Sequence, residues 1–77
     1  MTDLVLRENS DGIAWLTLNR PEKLNALNVA LFSELDAHVK DIAGQTDTIG
    51  CVVLKGSGRC FSAGHDLSDI ATGEKLP

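Results

Sequence analysis

The run Ile49 to Leu54 is the most continuous apolar stretch of the chain and carries two valines in succession, Val52 and Val53. β-Branched residues favour a pleated strand, and a strand without polar alternation suits a parallel position covered on both faces. A parallel strand has to be reached by a crossover, most often a helix. Residues 29–43 supply one: Phe32, Leu35, Val39 and Ile42 recur at spacings of three, four and three, the apolar stripe of an amphipathic helix. Glu34, Lys40 and Asp41 fall off that stripe. Asn28 stands at the N-cap position, and Gly44 marks the stop.

The residues before the helix read as two more strands. Leu4 to Glu8 and Ile13 to Asn19 flank Asn9-Ser10-Asp11-Gly12, a polar, flexible hairpin connection. Ile13, Trp15 and Thr17 alternate with Ala14, Leu16 and Leu18, so both faces of the second strand hold apolar groups and both are expected to be covered. Trp15 reads as a packing residue. Asn19-Arg20-Pro21 ends the strand, since proline donates nothing to a ladder and restricts the residue before it. The order β-β-α-β predicts an α/β fold.

Seventy-seven residues make at most one small domain, which buries only about 60% of its unfolded surface. A formal net charge of −4 argues against a general nucleic-acid binder. No apolar run reaches the roughly 20 residues of a membrane span, and the start lacks the basic and apolar pattern of a signal peptide. Cys51 in the apolar strand reads as a small buried hydrophobe and Cys60 as a loop packing residue. Their spacing supports neither a disulfide framework nor a metal site. A cytoplasmic, reducing setting fits this usage.

Two segments carry chemistry. Gly56-Ser57-Gly58-Arg59-Cys60-Phe61-Ser62-Ala63-Gly64-His65-Asp66-Leu67 follows the third strand and leads into a short helical pattern, Asp66 to Ala71. Its glycines permit tight turns and close backbone approach, Asp66 suits an N-cap, and backbone donors in such a loop suit an oxyanion. Leu18-Asn19-Arg20-Pro21-Glu22-Lys23-Leu24-Asn25-Ala26-Leu27-Asn28 also runs from a strand to a helix. Arg20, Lys23, Lys55 and Arg59 sit beside these loops, where an anionic ligand would meet them. Other readings are weaker. Glu34 and His38 suit a surface i, i+4 pair better than a metal or proton relay. Ser62 lacks the Gly-x-Ser-x-Gly elbow of a nucleophile. His65 and Asp66 are adjacent, which seldom turns two side chains toward each other. The glycine loop lacks the lysine and hydroxyl pair of a phosphate-binding loop.

The two segments, in this order, resemble the N-terminal part of the enoyl-CoA hydratase/isomerase (crotonase) family, and the resemblance runs from the first strand pair to Leu67. It implies a superhelix of strand–strand–helix turns, of which this chain supplies the first turn and the start of the second. Residues 1–77 are then the N-terminal portion of a single crotonase-like domain, with 68–77 a frayed tail. It also implies that the backbone N–H of His65 is one oxyanion donor for an acyl-CoA thioester. Lys23, Leu24 and Ala26 would form one wall of the coenzyme A site, and Ala63, Gly64, His65, Asp66 and Leu67 the other, with Lys23 or Arg20 meeting phosphate. Coenzyme A enters as part of the substrate, and no separate cofactor or metal is implied. Relatives that hydrate enoyl thioesters use two glutamates and a second donor further along the chain; Glu8, Glu22, Glu34 and Glu74 do not match them. The family also implies a homotrimer or hexamer. The alternative expectation is a non-catalytic acyl-CoA binder, or an inactive fragment lacking those glutamates.

Overall fold

Asp11 and Gly12 have φ of 52° and 77° in the computed structural model, which describes residues 3–64 and Asp66. Two successive positive values give the tight turn whose twist matches its flanking strands. β1 (Val5–Ser10) and β2 (Ile13–Leu18) pair antiparallel up to Ser10 opposite Ile13. The connection is thus two residues, not the four from Asn9 to Gly12, because Asn9 and Ser10 take ladder positions opposite Ala14 and Ile13.

From β2 the chain crosses through α1 (Val29–Ala43) to β3 (Cys51–Gly56), which pairs parallel with β2 from Ile13–Cys51 to Leu18–Gly56. The sheet order is β1-β2-β3. The α/β arrangement and the element order agree with the sequence pattern. β3 starts two residues later than the apolar run: Ile49 is buried ahead of it, and pairing continues through Gly56.

α1 begins where its cap dictates. The Asn28 side chain accepts the Leu31 N–H at 2.8 Å, a bond worth about 1 kcal/mol in such positions. At the other end the Gly44 N–H donates to Asp41 O at 3.1 Å and the Gln45 N–H to Ile42 O at 2.9 Å; Gly44 has φ −85°, so this glycine does not use its left-handed freedom. On the solvent side Lys40 meets Asp36 at 2.8 Å, and that hydrogen bond and charge raise the ammonium pKa.

The core lies between one face of α1 and one face of the sheet. Val5, Ala14, Leu16, Leu18, Leu31, Ile42 and Ile49 are buried together, with Leu4, Leu27 and Leu35 packed at the margin. The inward face of α1 is therefore Leu31, Leu35 and Ile42. Phe32 is only half-buried and Val39 is 48% exposed, which corrects the expected stripe. Both stripes share Leu35 and Ile42, and the position of the β1–β2 surface selects the Leu31 side. Burying a leucine fully contributes roughly 1.5–3 kcal/mol.

Two expectations of double coverage fail. Ile13, Trp15 and Thr17 on the other face of β2 are half-buried, since α1 packs against only one side. β3 is an edge strand of the described sheet, and Val52 and Leu54 are 48% and 42% exposed. Cys51 is exposed rather than buried. Glu34 accepts the Leu4 N–H at 3.2 and 3.1 Å, so it anchors the entry to β1 instead of pairing with His38. No helix among the described residues is long and apolar enough to cross a membrane.

Candidate functional site

The site begins where β2 and β3 end side by side. The Ser57 N–H donates to Leu18 O at 2.9 Å, extending the parallel ladder one step and placing both following loops at one end of the sheet. In the first loop Pro21–Lys23 make one turn of 3₁₀ helix. Leu24 and Asn25 then both take φ 53°, a left-handed conformation that costs non-glycine residues about 1–3 kcal/mol each. Their N–H groups are satisfied within the turn, Leu24 by Pro21 O at 3.1 Å and Asn25 by Arg20 O at 2.9 Å.

Among the described residues Asn25 is the one buried polar residue, with no exposed surface. Its Oδ1 accepts the Arg20 N–H at 2.8 Å, and its Nδ2 donates to Ser57 O and Cys60 O, both at 2.8 Å. Gly56 makes room for this. A Cβ there would lie 2.7 Å from Cys60 O and 2.8 Å from Asn25 Nδ2, and would also strike Phe61 O. Any side chain at 56 therefore displaces backbone.

The second loop returns onto the first through backbone bonds. Ala63 N–H donates to Leu24 O at 2.9 Å, Leu27 N–H to Gly64 O at 2.7 Å, and Asp66 N–H to Leu27 O at 2.9 Å. The Ser62 hydroxyl donates to Asn25 O at 2.8 Å and accepts the Gly64 N–H at 3.1 Å. Gly64 holds φ 97°. An ion pair fastens the edge: Arg20 Nη1 reaches Asp66 Oδ2 at 2.6 Å and also donates to Ala26 O at 3.1 Å, with both side chains only 15% and 13% exposed.

The structure thus joins the residues expected to act together. Lys23, Leu24 and Ala26 face the same junction as Ala63, Gly64 and Asp66; Lys23 and Ala63 are exposed and the others half-buried. His65 and Leu67, and the helix expected over 66–71, lie outside the described residues, Asp66 apart, as does the tail 68–77. Arg20 Nη1 is held by Asp66 and Ala26 O, so its guanidinium ties the two loops together. Asn25 was missed, because nothing in spacing or composition signals that two carbonyls far along the chain converge on it. Ser62, unsuited to a nucleophile by context, is a hydrogen-bond bridge. Among the described residues no three His, Cys, Asp or Glu side chains cluster as metal ligands would.

The sequence pattern of the enoyl-CoA hydratase/isomerase family matches residues 8–76. The chain belongs to that family. Relatives within the enoyl-CoA hydratase/isomerase family include the 1,2-epoxyphenylacetyl-CoA isomerase of Escherichia coli K12, 42% identical over 90% of this chain and 26% of its own. A probable enoyl-CoA hydratase of Rhodobacter capsulatus is 48% identical over 83% of this chain and 24% of its own. Among solved structures, carnitinyl-CoA hydratase from Mycobacterium avium superposes with a TM-score of 0.86 at 30% identity, covering 99% of this chain and 29% of that one. Enoyl-CoA hydratase from Mycobacterium tuberculosis gives 0.87 at 35% identity, covering 96% and 29%. The crotonase fold is thereby shared along nearly the whole chain, which spans about a quarter of the length of the curated relatives it matches.

Proposed function

We propose that this chain forms part of a thioester site of the enoyl-CoA hydratase/isomerase type, acting on acyl-CoA. The observation that carries this reading is the hydrogen-bonded junction of Lys23–Leu27 with Ala63–Asp66. It brings the segment that carries the exposed Lys23 against a glycine-bearing loop. The N–H groups of Ala63 and Asp66 are engaged by carbonyls of the first loop, and that of Gly64 by Ser62. By likeness to the enoyl-CoA hydratase/isomerase family, the N–H of His65, the residue after Gly64, is proposed as one arm of an oxyanion hole. Negative charge develops on the thioester oxygen as an enolate or tetrahedral species forms. A preorganised backbone donor aimed at that oxygen lowers the barrier by roughly 2.7–4 kcal/mol. Lys23, Leu24 and Ala26 would hold coenzyme A on one side, and Ala63, Gly64, Asp66 and Leu67 on the other.

Two described carboxylates are engaged in structural bonds. Asp66 is tied to Arg20, and Glu34 to the Leu4 N–H. The second donor and the acid–base groups are proposed to lie outside residues 1–77, in a protein that assembles as trimers or hexamers. The test is hydration or isomerisation of a short enoyl-CoA by the full-length protein, measured beside acyl-CoA binding. Turnover supports the reading. Binding without turnover favours a non-catalytic acyl-CoA protein, and neither overturns it.

A further inference from the structure

The acyl-CoA reading needs two walls at a fixed separation, and Asn25 is the fully buried described side chain that spans them. Each polar atom of this residue is used. Its N–H meets Arg20 O, its carbonyl accepts Ser62 Oγ, Oδ1 accepts the Arg20 N–H, and Nδ2 gives one hydrogen to Ser57 O and the other to Cys60 O. It is wholly buried in a loop, at φ 53°. A buried amide at a positive φ is costly unless fully satisfied, and here satisfaction comes from both sides of the junction. The chemistry is specific to asparagine. Two converging carbonyls require two donors, and the Arg20 N–H requires an acceptor on the same short stem. Aspartate keeps the acceptor but sets a carboxylate against both carbonyls, and glutamine is longer by one methylene.

Resting on the thioester reading above, we infer that Asn25 is a positioning residue for the reacting carbonyl. Through Ser57 and Cys60 it fixes where the second loop leaves β3, and through Ser62 it fixes the Gly64 peptide. Gly64, whose carbonyl accepts the Leu27 N–H at 2.7 Å, is thereby set relative to the Lys23–Ala26 wall. Free coenzyme A keeps the first wall when the second shifts, so its affinity falls less than the rate of a reaction that needs the thioester oxygen in register. A misplacement of about 1 Å at a reacting centre costs about 100-fold in rate. The signature is therefore a fall in kcat and in carbonyl polarisation with coenzyme A affinity much less affected.

The experiment uses full-length protein, wild type and with Asn25→Asp or Asn25→Gly; the glycine variant accepts the positive φ without strain and leaves space for water. The probe is cinnamoyl-CoA, a conjugated enoyl thioester whose absorbance moves to longer wavelength when its carbonyl is polarised. The shift is read per molecule bound at saturation, so a smaller folded fraction does not alter it. Free coenzyme A binding and thermal midpoints are measured alongside. The inference expects a red shift in the wild type that is lost in the folded variants, with kcat down about 100-fold and coenzyme A still bound. Variants that melt earlier yet keep the wild-type red shift overturn it and leave Asn25 a purely structural residue. A wild type that binds the probe without a red shift overturns the oxyanion reading and this inference with it.

Discussion

The α1–sheet core and the loop junction hold this chain together by opposite physics. The core is seven apolar side chains in mutual burial, a non-directional attraction that tolerates changes of shape better than loss of area. The junction is built differently. It depends on hydrogen bonds between 2.6 and 3.1 Å, around a single buried amide and one ion pair. Such a network fixes geometry closely and fails when one member is displaced. A chemical site that must place a donor against one oxygen gains from the second kind of construction, while the core supplies the stability to support it.

The contrast is broken most directly by adding one methyl group to the junction. Gly56→Ala brings a Cβ against two backbone carbonyls and the Asn25 amide, none of which is the free end of a flexible side chain. Its loss of stability in urea unfolding is expected to exceed that of a core truncation. Leu31→Ala, at a fully buried core position, is expected to cost about 2–5 kcal/mol by the same measurement, while leaving the spectrum of bound ligand unchanged. Asn28→Ala removes only the cap bond to the Leu31 N–H and is expected to cost about 1 kcal/mol. The smallest effect belongs to Asp41→Ala. Asp41 bonds Arg7 at 2.6 Å but its side chain is 58% exposed, and surface pairs contribute about 0–1 kcal/mol. If Gly56→Ala proved milder than Leu31→Ala, the junction would be more pliable than its geometry indicates.

Elements that answer to local physics were legible in the sequence. The span Val29–Ala43 and its Asn28 cap follow from periodicity and one side-chain oxygen, and the parallel β2–β3 pairing follows from the crossover. The buried face of α1 was not, because Leu31 and Phe32 border the same apolar arc and only the sheet's position chooses between them. The exposure of Val52 and Leu54 was hidden for a related reason: apolarity shows what a strand can bury, while its place at the sheet edge decides what it does bury. At the site, the two loop segments were legible as a pair. The pairing of Arg20 with Asp66, and the convergence of Ser57 and Cys60 on Asn25, join residues 32 to 46 positions apart. No local pattern encodes those contacts.

The central claim is that this junction presents the His65 N–H to a thioester oxygen. A crystal structure of the full-length protein with a hydrolysis-resistant acyl-CoA analogue tests it most directly. The account predicts the His65 nitrogen about 2.7–3.1 Å from the position of that oxygen, with coenzyme A lying along Lys23, Leu24 and Ala26. A thioester oxygen bound by other donors, beyond hydrogen-bond reach of His65, would contradict it.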